Sequence, residues 1–154
     1  MPDAVGLDQH ESTSLRAIAK RVQACKDHRF QDLYRLLDAR LLLESWDDLN
    51  KNAASGVDQV TAQAYEQDLI ANIQGLAERL KSKPYRAKLV RRCYIPKANG
   101  GQQPLGIPAL EDKLVQRAGA RILNAIYEQD FLPVSYGYRP GRGAKDAVTH
   151  VVFV

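Results

Sequence analysis

The chain has 154 residues, 45% of them hydrophobic and 26% charged, with 22 Lys and Arg against 18 Asp and Glu. That balance excludes a wholly disordered or collagen-like chain, and the length suits one domain able to bury a core. No apolar run approaches the roughly 20 residues that span a bilayer, so an integral membrane protein is excluded.

Residues 1–11 are polar and lack periodicity, so they read as a loose tail. Leu15, Ile18, Ala19 and Val22 then recur at helical spacing behind Ser12 or Thr13 as candidate caps. Phe30, Leu33, Leu36 and Leu37 predict a second short helix. A third begins near Ala39, with Leu42, Trp46 and Leu49 on one stripe and Asp38 as its cap. Ser55-Gly56 breaks the pattern within a loop over 52–58. Thr61 caps a predicted fourth helix in which Leu69, Ile73, Leu76 and Leu80 share one face.

The texture changes after Pro84. Residues 89–95 alternate as a strand, Asn99-Gly100 marks a two-residue hairpin turn needing positive φ at both positions, and residues 102–107 return. Pro104 has no ladder donor, which places the returning strand at an edge or bulge. A long helix begins near Leu110, with Leu114, Val115, Ala118, Ile122 and Ile126 facing inward and Glu111 and Asp112 at its positive end. Residues 136–143 form a Gly-rich, basic and aromatic connector, and a last helix starts at Ala144.

Charge divides the chain. Residues 1–78 carry net −5 and residues 79–154 net +9, with eight basic residues and no acid between Arg79 and Lys97. Such a run is either a solvated face or a surface for a polyanion, whose condensed counterions Lys and Arg release. A ribbon presenting Arg91, Arg92 and Lys97 beside Tyr94 offers cations for phosphates and a ring for a base or sugar. Tyr136, Tyr138, Arg139 and Arg142 repeat the mixture. Alone, each cluster also reads as core tyrosines and an ordinary turn; two within the basic half point to nucleic acid.

Other chemistry finds little support. His10, His28 and His150 lack metal spacing and read as surface residues, while Cys25 and Cys93 read as buried or half-buried thiols without a partner base. Asp47-Asp48 and Glu111-Asp112 are neighbours on helices, about 100° apart, so neither pair converges on a metal; the first reads as a solvated face. Met1-Pro2-Asp3-Ala4 has no basic segment ahead of an apolar one, so a cytoplasmic, reducing setting is expected.

At the two basic clusters the chain resembles the N-terminal part of group II intron-type reverse transcriptases. The resemblance is carried by Val90-Arg91-Arg92-Cys93-Tyr94-Ile95-Pro96-Lys97, Pro104-Leu105-Gly106-Ile107-Pro108, Asp112-Lys113-Leu114-Val115-Gln116 and Ser135-Tyr136-Gly137-Tyr138-Arg139-Pro140-Gly141-Arg142, in the family's order. Gly56-Val57-Asp58 and the stretch from Ala125 to Phe131 extend it over about residues 29–148. The resemblance implies an α+β fold, the mostly helical fingers subdomain with a small antiparallel hairpin and no palm. Residues 1–28 would be an N-terminal tail and helix, and residues 29–154 the fingers region up to the palm boundary.

It further implies that Lys97 reaches the incoming nucleotide triphosphate, a role suited to a point cation on a flexible stem. Arg91, Arg92, Tyr94 and Asn99, with Gly106, Ile107 and Pro108 near the templating base and Arg139 and Arg142 near the backbone, would contact nucleic acid. Gln103 stands where the family carries a second triphosphate-binding arginine, and a neutral amide cannot replace it. The family's metal-holding aspartates lie in a palm beyond this sequence, so no catalytic residue and no cofactor is assigned here, with Mg2+ belonging to a full-length parent. The expected partners are RNA, as intron or template, an RNA/DNA primer–template, and the palm and thumb segment; no membrane is expected. The alternatives are a stand-alone, non-catalytic RNA-binding or maturase-like module, and a non-functional remnant.

Overall fold

The computed structural model of the chain describes residues 13–82 and 85–152. The predicted tail, the Ser12 cap, Pro84 and the closing Phe153-Val154 lie outside them. About half of the chain is helical, and among the described residues the one sheet has two antiparallel strands, which makes the fold α+β. The chain divides into two compact units, residues 30–121 and residues 13–29 with 122–152.

In the unit of residues 30–121, the apolar run from Phe30 forms a single 3-10 turn, Leu33–Leu36, instead of a helix. Asp32 before it is left-handed, at φ 59°, which interrupts any longer run. Helix α1 belongs to the other unit (Thr13–Ala24), and α2 spans Ala39–Asp47. The Asp38 carboxylate accepts from Leu41 N–H at 2.9 Å, satisfying one of the donors a helix start leaves open. Leu41, Leu42 and Trp46 are buried on the α2 face that packs on α4. Leu49, predicted on the same stripe, lies beyond the helix end.

The predicted helix after Thr61 is two helices, α3 (Ala62–Glu66) and α4 (Leu69–Lys81). Thr61 caps the first through Ala64 N–H, as expected, but Asp68 leaves helical geometry and restarts the chain. The break lets Tyr65 turn onto Trp46, with ring centroids 5.4 Å apart, while Ile73, Leu76 and Leu80 line the α4 core face. A continuous period in the sequence conceals this break, because the apolar stripe belongs to α4 alone.

Strands β1 (Arg91–Pro96) and β2 (Gln102–Ile107) pair from Arg91 opposite Ile107 to Pro96 opposite Gln102. The connection is not the two-residue turn predicted from Asn-Gly. Gly100 alone has positive φ, at 81°, and two bonds close the loop: Gly100 N–H to Lys97 O and Lys97 N–H to Gly101 O. This is a type I turn followed by a left-handed glycine. The second bond sets the ladder's alternation, so Pro104 opposite Tyr94 falls at a non-bonded pair and its missing donor faces outward.

Helix α5 (Leu110–Tyr127) follows β2 directly. Its buried stripe is Leu114, Ala118, Ile122 and Ala125, whereas Val115 and Ile126 are only half-buried. In the unit of residues 13–29 and 122–152, Leu15, Ile18, Ala19 and Val22 of α1 are buried, and α6 spans Ala144–Val152. The Asp146 carboxylate accepts from Gly143 N–H at 2.7 Å at the start of α6.

The loop over 52–58 lies against the root of α5. A Cβ on Gly56 would stand 2.6 Å from both N and Cα of Ala109, so only glycine admits this approach. Lys113 Nζ donates to Ala54 O at 2.6 Å beside it. Gly56→Ala therefore forces two backbones apart and is expected to cost about 1–3 kcal/mol. A lower urea midpoint with an unchanged slope is the expected result; an unchanged midpoint would refute the close approach.

Candidate nucleic-acid interface

The hairpin is an exposed arm. Tyr94 and Ile95 are about half exposed, and Leu89 and Val90 lead into it from an open segment. The side chains of Arg91, Arg92 and Lys97 make no hydrogen bond or ion pair among the described residues. Strand alternation sorts the arm into two faces. Arg92, Tyr94 and Gly106 share one, and Val90 lies over Gly106 so closely that a Cβ there would be 3.1 Å from it. Arg91, Cys93, Ile95, Leu105 and Ile107 share the other. Asn99, at the tip, accepts from Gly101 N–H at 3.2 Å and so braces the turn. Ile107 and Pro108 are half-buried where the arm meets α5.

The arm's root is built from acids in the first turn of α5. Asp112, only 4% exposed, accepts from Tyr85 Oη on one oxygen and from Lys88 N–H at 3.0 Å on the other. Glu111 receives Arg79 through both terminal nitrogens, at 3.0 and 2.7 Å, and the Tyr65 hydroxyl at 3.1 Å. Lys88 Nζ donates to Asp58 at 2.8 Å, tying the Gly56-Val57-Asp58 loop to the same segment. Burial, reinforced by the adjacent carboxylates, pushes the phenols of Tyr65 and Tyr85 upward. Burial also raises the Asp58 carboxyl, but the bond and charge of Lys88 and the Val60 N–H outweigh it and hold the group below its usual 3.8. The bond to Asp58 holds Lys88 above 10.5.

The second cluster lies in the other unit. Arg139 is buried, its side chain 6% exposed, and all of its bonds are internal. Nε and Nη2 meet Glu128 at 3.1 Å, Nη1 donates to Leu132 O and Ser135 O, and the guanidinium lies 5.1 Å from the Phe131 ring centre. Arg142 donates to Pro133 O and lies 5.4 Å from the Tyr136 ring centre, while Tyr136 Oη pairs with His150 Nδ1 at 2.7 Å. Tyr138 is fully exposed in a left-handed conformation, at φ 59°. The connector is thus a loop folded around a guanidinium, with Arg139 internal to it.

Elsewhere, Asp48 is not simply solvated: Arg117 and Arg121 meet it at 2.9 and 3.2 Å, joining α2 to α5. Cys25 is exposed rather than buried, and Cys93 is half-buried in β1. Among the described residues no three His, Cys, Asp or Glu side chains are grouped to hold a metal. None of the described helices is long and apolar enough to cross a membrane. Glu111 and Asp112 had one sequence signal, the placement of acids at a helix start, and Asp58 only its place in Gly56-Val57-Asp58; the partners of the three lie 24 to 46 residues away.

No protein-family profile matches the chain. Over 139 residues it is 38% identical to the group II intron-encoded protein LtrA of Lactococcus lactis subsp. cremoris, covering 87% of this chain and 23% of that protein. It is 44% identical over 96 residues to Protein YkfC of Escherichia coli (strain K12), covering 62% of this chain and 25% of that one. A 91 kDa protein in the cob intron of Schizosaccharomyces pombe matches at 32% over 123 residues, covering 79% and 15%. The chain is thus similar in sequence to intron-encoded proteins over most of its length. The chain belongs to the group II intron-encoded reverse transcriptase/maturase family, and it spans about a quarter or less of the length of these relatives.

Two measurements check this geometry. The Asp58 carboxyl, lower in the folded chain than in the unfolded, stabilises above its usual 3.8 and ceases to as pH falls through the folded value. Lys88, higher in the folded chain, stabilises below 10.5 and ceases to as pH rises through its own. The stability difference between wild type and Asp58→Asn should be flat from about pH 5 to about pH 9 and shrink below about pH 4. It should also fall with salt, since Lys88 is half exposed. Arg139→Ala strands the largely covered Glu128 and is expected to cost about 3–5 kcal/mol in urea unfolding, with Arg139→Lys recovering little because one ammonium cannot replace the fork.

Proposed function

We propose that these 154 residues are the fingers region of a group II intron-encoded RNA-directed DNA polymerase, and that the hairpin arm is its RNA-binding surface. The observation that carries this reading is the set of cations Arg91, Arg92 and Lys97, unpaired among the described residues, on the arm that also exposes the ring of Tyr94. Cations without acidic partners are free to replace counterions on phosphates, and the ring offers a sequence-tolerant stacking face. In the parent enzyme the arm would cover the template and Lys97 would reach the incoming nucleotide, with Gly106, Ile107 and Pro108 near the templating base. Asn99 would hold the tip in shape for that contact, and Arg142, with Arg139 beneath it, would shape the second loop. Intron RNA or an RNA/DNA primer–template is the proposed partner, with the parent's palm and thumb completing the enzyme. Mg2+ chemistry is assigned to that parent; the related LtrA protein is about four times as long as this chain.

The test is a titration of labelled RNAs against the chain at several salt concentrations. Affinity should fall steeply from about 50 to about 200 mM salt and differ little between unrelated RNAs. Arg91 and Arg92 face opposite ways, so one strand of RNA meets only one of them. Alanine at that arginine should lower the slope of log affinity on log salt by about 1, and alanine at the other should leave it unchanged. Salt-insensitive binding would overturn the reading, and strong selectivity for one RNA would favour a stand-alone module.

A further inference from the structure

We infer that Asp112 is a positioning residue for the arm: it sets the direction in which the hairpin presents its cations, without touching nucleic acid itself. This rests on the proposed RNA-binding role of the arm. The arm leaves the body through two connections. On the β2 side, Ile107 and Pro108 pass straight into α5, with Gly56 packed against the Ala109 backbone. On the β1 side the chain crosses residues 85–90, which have no regular structure. A free two-stranded ribbon on one covalent root would swing about it. What fixes the second root is Asp112, which accepts from Tyr85 Oη and from the Lys88 N–H, one partner on each oxygen.

The chemistry of this pairing is specific. Buried carboxylate oxygens accept strongly, and a backbone N–H that loses its acceptor away from water is costly. The start of α5 adds its own positive end to stabilise the charge. Asp58 holds the Lys88 ammonium, so two acids, Asp112 and Asp58, clamp the strap of residues 85–90, while Glu111 fixes Arg79 and Tyr65 beside it. No cation of the arm itself takes part. Binding affinity gained by holding a surface in its bound orientation is lost when that hold is released, even where every contact group remains.

Two variants separate this from a simple loss of fold. Tyr85→Phe removes one donor and leaves the Lys88 bond; Asp112→Asn keeps the shape but offers a donor where one acceptor stood. In the 154-residue chain, backbone order parameters of β1 and β2 should drop from about 0.85 to below about 0.6 in Asp112→Asn, with those of α4 unchanged. For Tyr85→Phe a smaller drop is expected, with the urea midpoint close to wild type. RNA affinity should fall about three- to tenfold while the salt slope stays that of wild type, because no phosphate contact is removed. A slope lowered by about 1, or an arm as rigid in both variants as in wild type, would overturn the inference. The order parameters decide it even if wild type binds no RNA, an outcome that would instead remove the proposed function.

Discussion

The first turn of α5 is the constraint on which the rest of this structure depends. Four stretches far apart in sequence meet there: the loop at Gly56, α3 through Tyr65, the C-terminal part of α4 through Arg79, and the strap at Tyr85 and Lys88. A helix start is suited to such convergence, because its positive end favours carboxylates and its open backbone tolerates close approach. Glu111 and Asp112 use that favour to collect phenols, a guanidinium and an amide. The price is paid in sequence freedom at Gly56, where any side chain would strike the Ala109 backbone.

Seen from this hub, the basic residues separate into two populations. Arg79, Lys88, Arg117, Arg121 and Arg139 answer acids inside the protein. Arg91, Arg92 and Lys97 answer none among the described residues. The net +9 of residues 79–154 therefore overstates the charge available to a partner, and the run from Arg79 to Lys97 mixes braces with free cations. Arg91, Arg92 and Lys97 are carried by the arm, which the braces hold. Braced and unbraced charges are adjacent in the chain and differ only in whether an acid from elsewhere reaches them.

Patterns of short range were legible from the residues. Asp38 and Thr61 cap the helices they were expected to cap, since a cap needs only donors two or three positions away. The paired strands follow from alternation around Asn99-Gly100, although the loop's own bonds select a turn with one left-handed residue instead of two. The split between α3 and α4 was not legible, because Tyr65 turns away to stack on Trp46, a contact across nineteen positions that no period encodes. Arg139 looked like a surface cation beside glycines; the fold encloses it, since Glu128 and two carbonyls lie within its reach.

The sequence alone determined the α+β class, the hairpin with its basic strand, and the membership of the intron-encoded family. These depend on side-chain type at short spacing, which a linear reading contains. Only the tertiary structure decided which cations are spent internally, that Asp112 anchors the arm, and that Gly56 lies against the start of α5. Each of those depends on a partner outside the short spacing a linear reading covers, eleven residues away for Arg139 and dozens for most others, and charge or burial has no meaning for such a pair until folding brings the two together.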